Sequence, residues 1–151
     1  MTVLGVRCSN KDLTYAVLSG TKKSPVLATL DAVAFPKGYT KPNSLRWLVL
    51  EIDGIITKHQ IKIIVIKSSE GMTRGKAFED RVEHEAAVQI AAANRGLKWI
   101  FKKVKSTIAK DLGQKGRAHY LAQLDTSSLP EYDSRSEKEK EAILAAWSGL
   151  T

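Results

Sequence analysis

Apolar positions along the chain follow two different periods. Ile61, Ile63, Ile64, Val65 and Ile66 form a short, nearly continuous apolar run, broken only by Lys62. That is the pattern of a strand buried on both faces, and it predicts a strand over residues 61–66. Three β-prone stretches precede it, at residues 2–8, 13–18 and 25–35, separated by polar turns around Asn10 and Gly20. Such short connections predict an antiparallel meander. Leu45, Leu48, Val49, Ile52, Ile55 and Ile56 instead recur at helical spacing, with Asn43 or Ser44 placed to cap that helix. A helix between the meander and the 61–66 strand makes that strand parallel to the first by a right-handed crossover.

A second long helix is expected over residues 77–94, with Phe78, Val82, Ala86 and Ile90 as its apolar stripe. Ala87, Ala91, Ala92 and Ala93 suit close approach to the sheet, and Gly96 is a plausible stop. Residues 97–101 read as a fifth strand, with Trp99 and Phe101 packing inward. Short helices over 103–112 and 115–124 break at Gly113. A final helix over 136–148 packs through Ile143, Leu144 and Trp147. The order βββαβαβ followed by helices predicts an α/β fold with a five-stranded mixed sheet, antiparallel meander plus parallel strands, flanked by helices.

Composition narrows the classes. The chain has 151 residues, with 24 Lys and Arg against 16 Asp and Glu, for a net charge of +8. That length fits one domain over 1–151 with its own core. The charge favours encounter with a polyanion such as DNA or RNA. Cys8 is the one cysteine, which excludes an intramolecular disulfide and any CxxC metal pair and makes a reducing, cytoplasmic setting the expectation. The N-terminal residues lack a signal-peptide pattern, and no apolar run is long enough to span a membrane.

Several segments carry a family resemblance. Val3-Leu4-Gly5-Val6-Arg7, Ile63-Ile64-Val65-Ile66-Lys67, the Ala-rich stretch after Glu85, Val104-Lys105-Ser106-Thr107-Ile108 and Glu141-Ala142-Ile143-Leu144 stand in the order of matching segments in the RuvC-like Holliday-junction resolvases. The chain resembles that branch of the ribonuclease H-like superfamily over nearly its whole length. The resemblance implies a ribonuclease H-like fold. It also implies carboxylates from strand one, strand four and the last helix that hold Mg²⁺ or Mn²⁺ for two-metal phosphodiester cleavage. Here those positions fall on Arg7, Lys67 and about Lys138, and Glu141 alone keeps an acid. Hard divalent cations need oxygen ligands, and a cationic side chain repels them.

The expectation that follows is a degenerate nuclease site without catalytic residues, metal or cofactor. Arg7, Lys67, Arg74, Lys76 and Lys105 are then the candidate phosphate contacts. The competing reading makes Arg7 and Lys67 partners of Glu137, Glu139 or Glu141 in an internal salt-bridge cluster. Asp12, Glu70 and Glu137 lie near the family's acid positions, and a rearranged, metal-dependent nuclease would need them. As residues of turns and loops they read as solvated carboxylates. A third reading is a protein-interaction subunit, or a homodimer as in many relatives.

Other motifs add little. Glu83-His84-Glu85 cannot turn three side chains to one metal, since adjacent helix positions point about 100° apart. His59 and His119 have no local partner motif. Gly71 to Lys76 lacks the GxxxxGK[ST] phosphate-loop pattern because Ala77 follows Lys76, although its glycines and the following helix suit an anion. Bases crowd from Arg95 to Arg117, with Asp111 opposing them. The alternating charges from Arg135 to Glu141 read as an exposed, self-pairing helical turn.

Overall fold

A computed structural model describes residues 1–71 and 74–151. Five strands, β1 (Val3–Cys8), β2 (Asp12–Gly20), β3 (Pro25–Ala34), β4 (Ile63–Lys67) and β5 (Trp99–Lys103), form one sheet in the order β3-β2-β1-β4-β5. β1, β2 and β3 pair antiparallel, while β4 runs parallel to both β1 and β5. Connection length decides which. Tight turns join the meander, whereas α1 (Lys41–His59) and α2 (Lys76–Asn94) supply the crossovers that parallel neighbours require. The mixed α/β architecture expected from the sequence is the one observed.

Every residue of β4 is buried, because helices cover both faces of the sheet centre. Alternate side chains divide between two cores. Leu4, Val6, Ile64 and Ile66 pack against Leu48, Ile52, Val88 and Ala92 of α1 and α2. Val3 and Val65 face the other way, onto Ile143, Ala145 and Ala146 of α4 (Glu137–Ser148) and Ile108 of α3 (Lys105–Asp111). Gly5 sets how closely α4 crosses β1. A Cβ on Gly5 would lie 2.0 Å from the Ala142 carbonyl oxygen and 2.5 Å from the Ala146 nitrogen. The missing side chain therefore brings the first turns of α4, with Glu141, down beside the C-terminal end of β1.

The expected caps and faces shift in informative ways. α1 starts ahead of Asn43 and Ser44. Thr40 is its cap, accepting from the Asn43 N–H at 3.4 Å, and Pro42 sits in the first turn, where a missing N–H costs nothing. Ser136 caps α4 in a reciprocal box with Glu139. The helix expected over 115–124 is a short 3₁₀ turn, Ala118–Gln123.

The α2 stripe is a correction. Val82, Ala86 and Ile90 are exposed, and the helix instead buries His84, Glu85, Ala87, Val88, Ala91 and Ala92. Small side chains on that side permit close packing, and its polar members tie down strand ends. Trp99 and Phe101 are a second correction, at 54% and 41% exposed. On edge strand β5, Ile100 takes the covered face, so alternation turns its two aromatic neighbours outward. Among the described residues, no helix is long and apolar enough to cross a membrane.

Candidate functional site

Arg7 and Lys67 occupy the C-terminal ends of adjacent parallel strands, and α4 lays Glu141 across both. Arg7 Nε donates to Glu141 Oε2 at 2.7 Å, and Lys67 Nζ lies 3.8 Å from the same oxygen. Lys105 Nζ, at the start of α3, is 3.8 Å from Glu141 Oε1 and 3.0 Å from Glu137 Oε1. Glu70 closes the group from the loop after β4. Its Oε2 accepts from Lys67 Nζ at 2.7 Å and from the Lys105 backbone N–H at 3.0 Å. Lys138 stands slightly apart, with Nζ 3.1 Å from Asp12 Oδ1.

Burial makes these contacts obligatory for some residues. Lys67 is 1% exposed, so its ammonium depends on Glu70, Glu141 and the Ser68 carbonyl for the stabilisation that water would otherwise give. Partial burial pushes the Glu70 carboxyl up. Hydrogen bonds from Lys67 and the Lys105 backbone, together with both charges, outweigh that and hold it below its ordinary value. Glu137 is likewise lowered, chiefly by its hydrogen bond from Lys105.

Asp12, Glu70 and Glu137 are paired acids, although Glu70 and Glu137 remain 46% and 67% exposed. Each neutralises a base, because the fold brings a strand end or a helix start against it. Of the expected phosphate contacts, Arg7, Lys67 and Lys105 gather in this centre, while Arg74 is exposed and Lys76 pairs with Asp80 at 2.9 Å. Met72 and Thr73 of the expected anion loop lie outside the described residues.

The sequence reading missed a second layer on α2. Arg81 Nη2 donates to the Lys67 carbonyl at 2.7 Å, and Arg81 Nε to Glu85 at 3.1 Å. Glu85, 2% exposed, also pairs with Lys102 of β5 at 3.1 Å. His84 Nδ1 bonds the Ser9 carbonyl at 2.9 Å, beside the end of β1. Three α2 residues thus fix the ends of three strands. The available signal was a polar cluster, Arg81 to Glu85, ahead of the alanines that face the sheet. Cys8 beneath them has its thiol pushed up to about 12, first by burial and then by the Glu85 charge.

These donors do not fit a divalent cation. At the strand ends Arg7 and Lys67 present a guanidinium and an ammonium, neither able to ligate a metal, and both lie against Glu141. Among the described residues no group of three or more His, Cys, Asp or Glu converges as a metal site. The chemistry on offer is charge pairing and anion attraction at the sheet's C-terminal end, where open α/β sheets bind ligands.

No protein-family model matches the chain, and no curated protein matches it in sequence. Solved structures do. Thermus thermophilus RuvC aligns with a TM-score of 0.79 over 98% of this chain and 92% of RuvC, at 13% identity. The same protein in complex with Holliday junction substrate gives 0.78 over 98% and 91%, at 12% identity. The yeast mitochondrial Holliday junction resolvase gives 0.66 over 97% of this chain and 76% of that one, at 13% identity. At such identities the likeness is one of fold, and the chain has the RuvC-like, ribonuclease H-like α/β fold.

Proposed function

We propose that this protein binds nucleic acid without cleaving it, the whole chain acting as one domain on a nuclease-type scaffold. The observation that carries the reading is the pair Arg7 and Lys67 at adjacent strand ends, both held on Glu141. An ion-paired centre takes the place of a carboxylate cage, so no step needs Mg²⁺ or Mn²⁺. Arg74 and Lys76 at the start of α2, with Arg7 and Lys105 at the edge of the centre, meet backbone phosphates. Such contacts position a strand without reading its sequence. Lys67, enclosed by Glu70, supplies positive potential from beneath and makes no phosphate contact of its own. The RuvC neighbour's complex with a Holliday junction substrate makes branched DNA the first ligand to try.

The test is binding of labelled four-way junction, duplex and single-stranded DNA across a salt series, with cleavage followed in Mg²⁺ and Mn²⁺. The expected result is binding with a steep salt slope and intact DNA. Mn²⁺-dependent cleavage abolished by Glu141→Ala, in a variant whose circular dichroism shows it still folded, would establish the rearranged nuclease instead. Absence of binding at low salt would leave a protein partner as the ligand, a reading that the exposed Val82 and Ile90 on α2 favour.

A further inference from the structure

Beside the charged centre, at the same end of the sheet, a cleft of about 480 Å³ opens between the β1–β2 turn, the loop after β3 and the start of α1. Its volume is that of a small-ligand site. Tyr39 stands at it 53% exposed, a large aromatic face left to solvent. Lys11 and Lys37 line the cleft, are exposed, and have no carboxylate partner among the described residues. Lys41 also lines it, but its ammonium is committed to Asp80 at 2.8 Å.

The inner wall carries His84, 2% exposed. Its Nδ1 faces the Ser9 carbonyl at 2.9 Å, which accepts only, so the ring proton sits on Nδ1. Phe35 meets the imidazole edge-on at 4.3 Å between centroids and holds its plane. Burial lowers the His84 pKa, against the hydrogen bond to Ser9, which keeps the ring neutral. Nε2 is then a lone-pair acceptor with no partner among the described residues. It is not sealed from water: Nε2 keeps contact with solvent on the cleft side and stands as an acceptor that a donating ligand could use.

An aromatic face, two free cations and one acceptor on the inner wall form a set that matches a nucleotide: a ring to stack, phosphates to neutralise and an amino or ring N–H to accept from. We infer that the cleft receives a single unpaired base of a bound nucleic-acid strand, stacked on Tyr39 with its donor edge toward His84 and its flanking phosphates on Lys11 and Lys37. Unpaired bases are more readily taken up in this way, since no base pair has to be broken to extrude them. The inference rests on the nucleic-acid reading above and adds a preference for strands that offer a free base.

The experiment compares a fluorescent duplex with the same duplex carrying one unpaired 2-aminopurine nucleotide at its centre. Wild-type protein should bind the bulged duplex roughly tenfold tighter, with 2-aminopurine emission falling as the base stacks. Tyr39→Ala, a surface change, should remove that preference and leave affinity for the paired duplex unchanged, while Tyr39→Phe should keep it. Equal binding of the two duplexes by wild type, or a preference that survives Tyr39→Ala, overturns the inference and leaves general nucleic-acid binding standing. Failure to bind either duplex at low salt overturns both.

Discussion

Two groups of bases share one end of the sheet and differ in what surrounds them. Arg7, Lys67 and Lys105 lie within ion-pair distance of Glu141, Glu70 or Glu137. Lys11, Lys37 and Arg74 face solvent without a carboxylate partner among the described residues. The inner group is close to charge-balanced, and its members hold the ends of β1, β4, α3 and α4 together. The outer group keeps its charge for whatever approaches, while Arg7 and Lys105, at the edge of the inner group, meet a phosphate only in competition with their carboxylates. A chain with a net charge of +8 therefore does not offer its basic residues equally, because pairing and burial decide which of them a phosphate can reach.

Removing the shared carboxylate breaks the inner group most severely. Glu141→Ala leaves Arg7 and the enclosed Lys67 facing each other without their bridge. The expected loss is about 3–5 kcal/mol of folding free energy, read from denaturant unfolding. Replacing Arg7, Lys67 and Glu141 together by Met, Met and Leu should recover most of that loss, because no charge is then left buried alone. If Glu141→Ala costs less than about 1 kcal/mol, the centre is not holding the strand ends.

The comparison sharpens when the inner bases become acids. In the double variant Arg7→Asp, Lys67→Glu, three carboxylates stand where the wild type has one between two cations. Mn²⁺ should then raise the melting temperature, equivalent to about 2.7 kcal/mol at a hundredfold excess over the dissociation constant. Wild type should not respond. A wild-type melting temperature that rises equally with Mn²⁺ would mean that its own carboxylates assemble a cation site.

Acid should loosen the inner group with less force. Glu70 and Glu137 titrate below their ordinary value of 4.5, and Asp12, held by Ser9 and Lys138 against its own partial burial, below 3.8. The folded state thus binds these protons less readily than the unfolded chain does. Their stabilisation is complete above the ordinary values and is lost as the pH falls from about 4.5 through the lowered folded values. Melting temperatures from pH 7 to pH 3 should fall mainly below pH 4.5. Glu70→Gln should flatten that limb, because its amide side chain has no proton to take up.

Much of this contrast was legible in the residues, but not which bases belonged to which group. The meander and the parallel placement of β4 beside β1 followed from the buried run at β4, the short turns and the helical spacing of Leu48, Ile52 and Ile56. Arg7 and Lys67 were placed together by the adjacent parallel strand ends they occupy, and Glu141 was singled out by the family resemblance of the last helix. What escaped was contact between residues far apart in sequence. Nothing near Glu70 signals that the Lys105 backbone donates to it, and nothing near Asp12 marks Lys138 as its partner. The face of α2 was misjudged for a related reason. Apolar residues were assigned inward, yet Arg81, His84 and Glu85 gain more there because strand ends offer carbonyls and a lysine to pair with.

The mildest change separates the two groups by counting phosphates. Each base that neutralises one phosphate contributes about 0.9 to the slope of log affinity against log salt on duplex DNA. Lys11→Gln, Lys37→Gln and Arg74→Gln should each lower the slope by roughly that amount, with little effect on stability, since none of them gives up an ion pair. Lys67→Met should lower stability and leave the slope unchanged, because an ammonium enclosed by Glu70 and Glu141 displaces no counterion from DNA. Circular dichroism on each variant separates loss of fold from loss of contact. A folded Lys67→Met protein whose slope falls as far as that of Lys37→Gln would show that Glu70 swings away on binding. The closed centre would then be a resting state that nucleic acid opens.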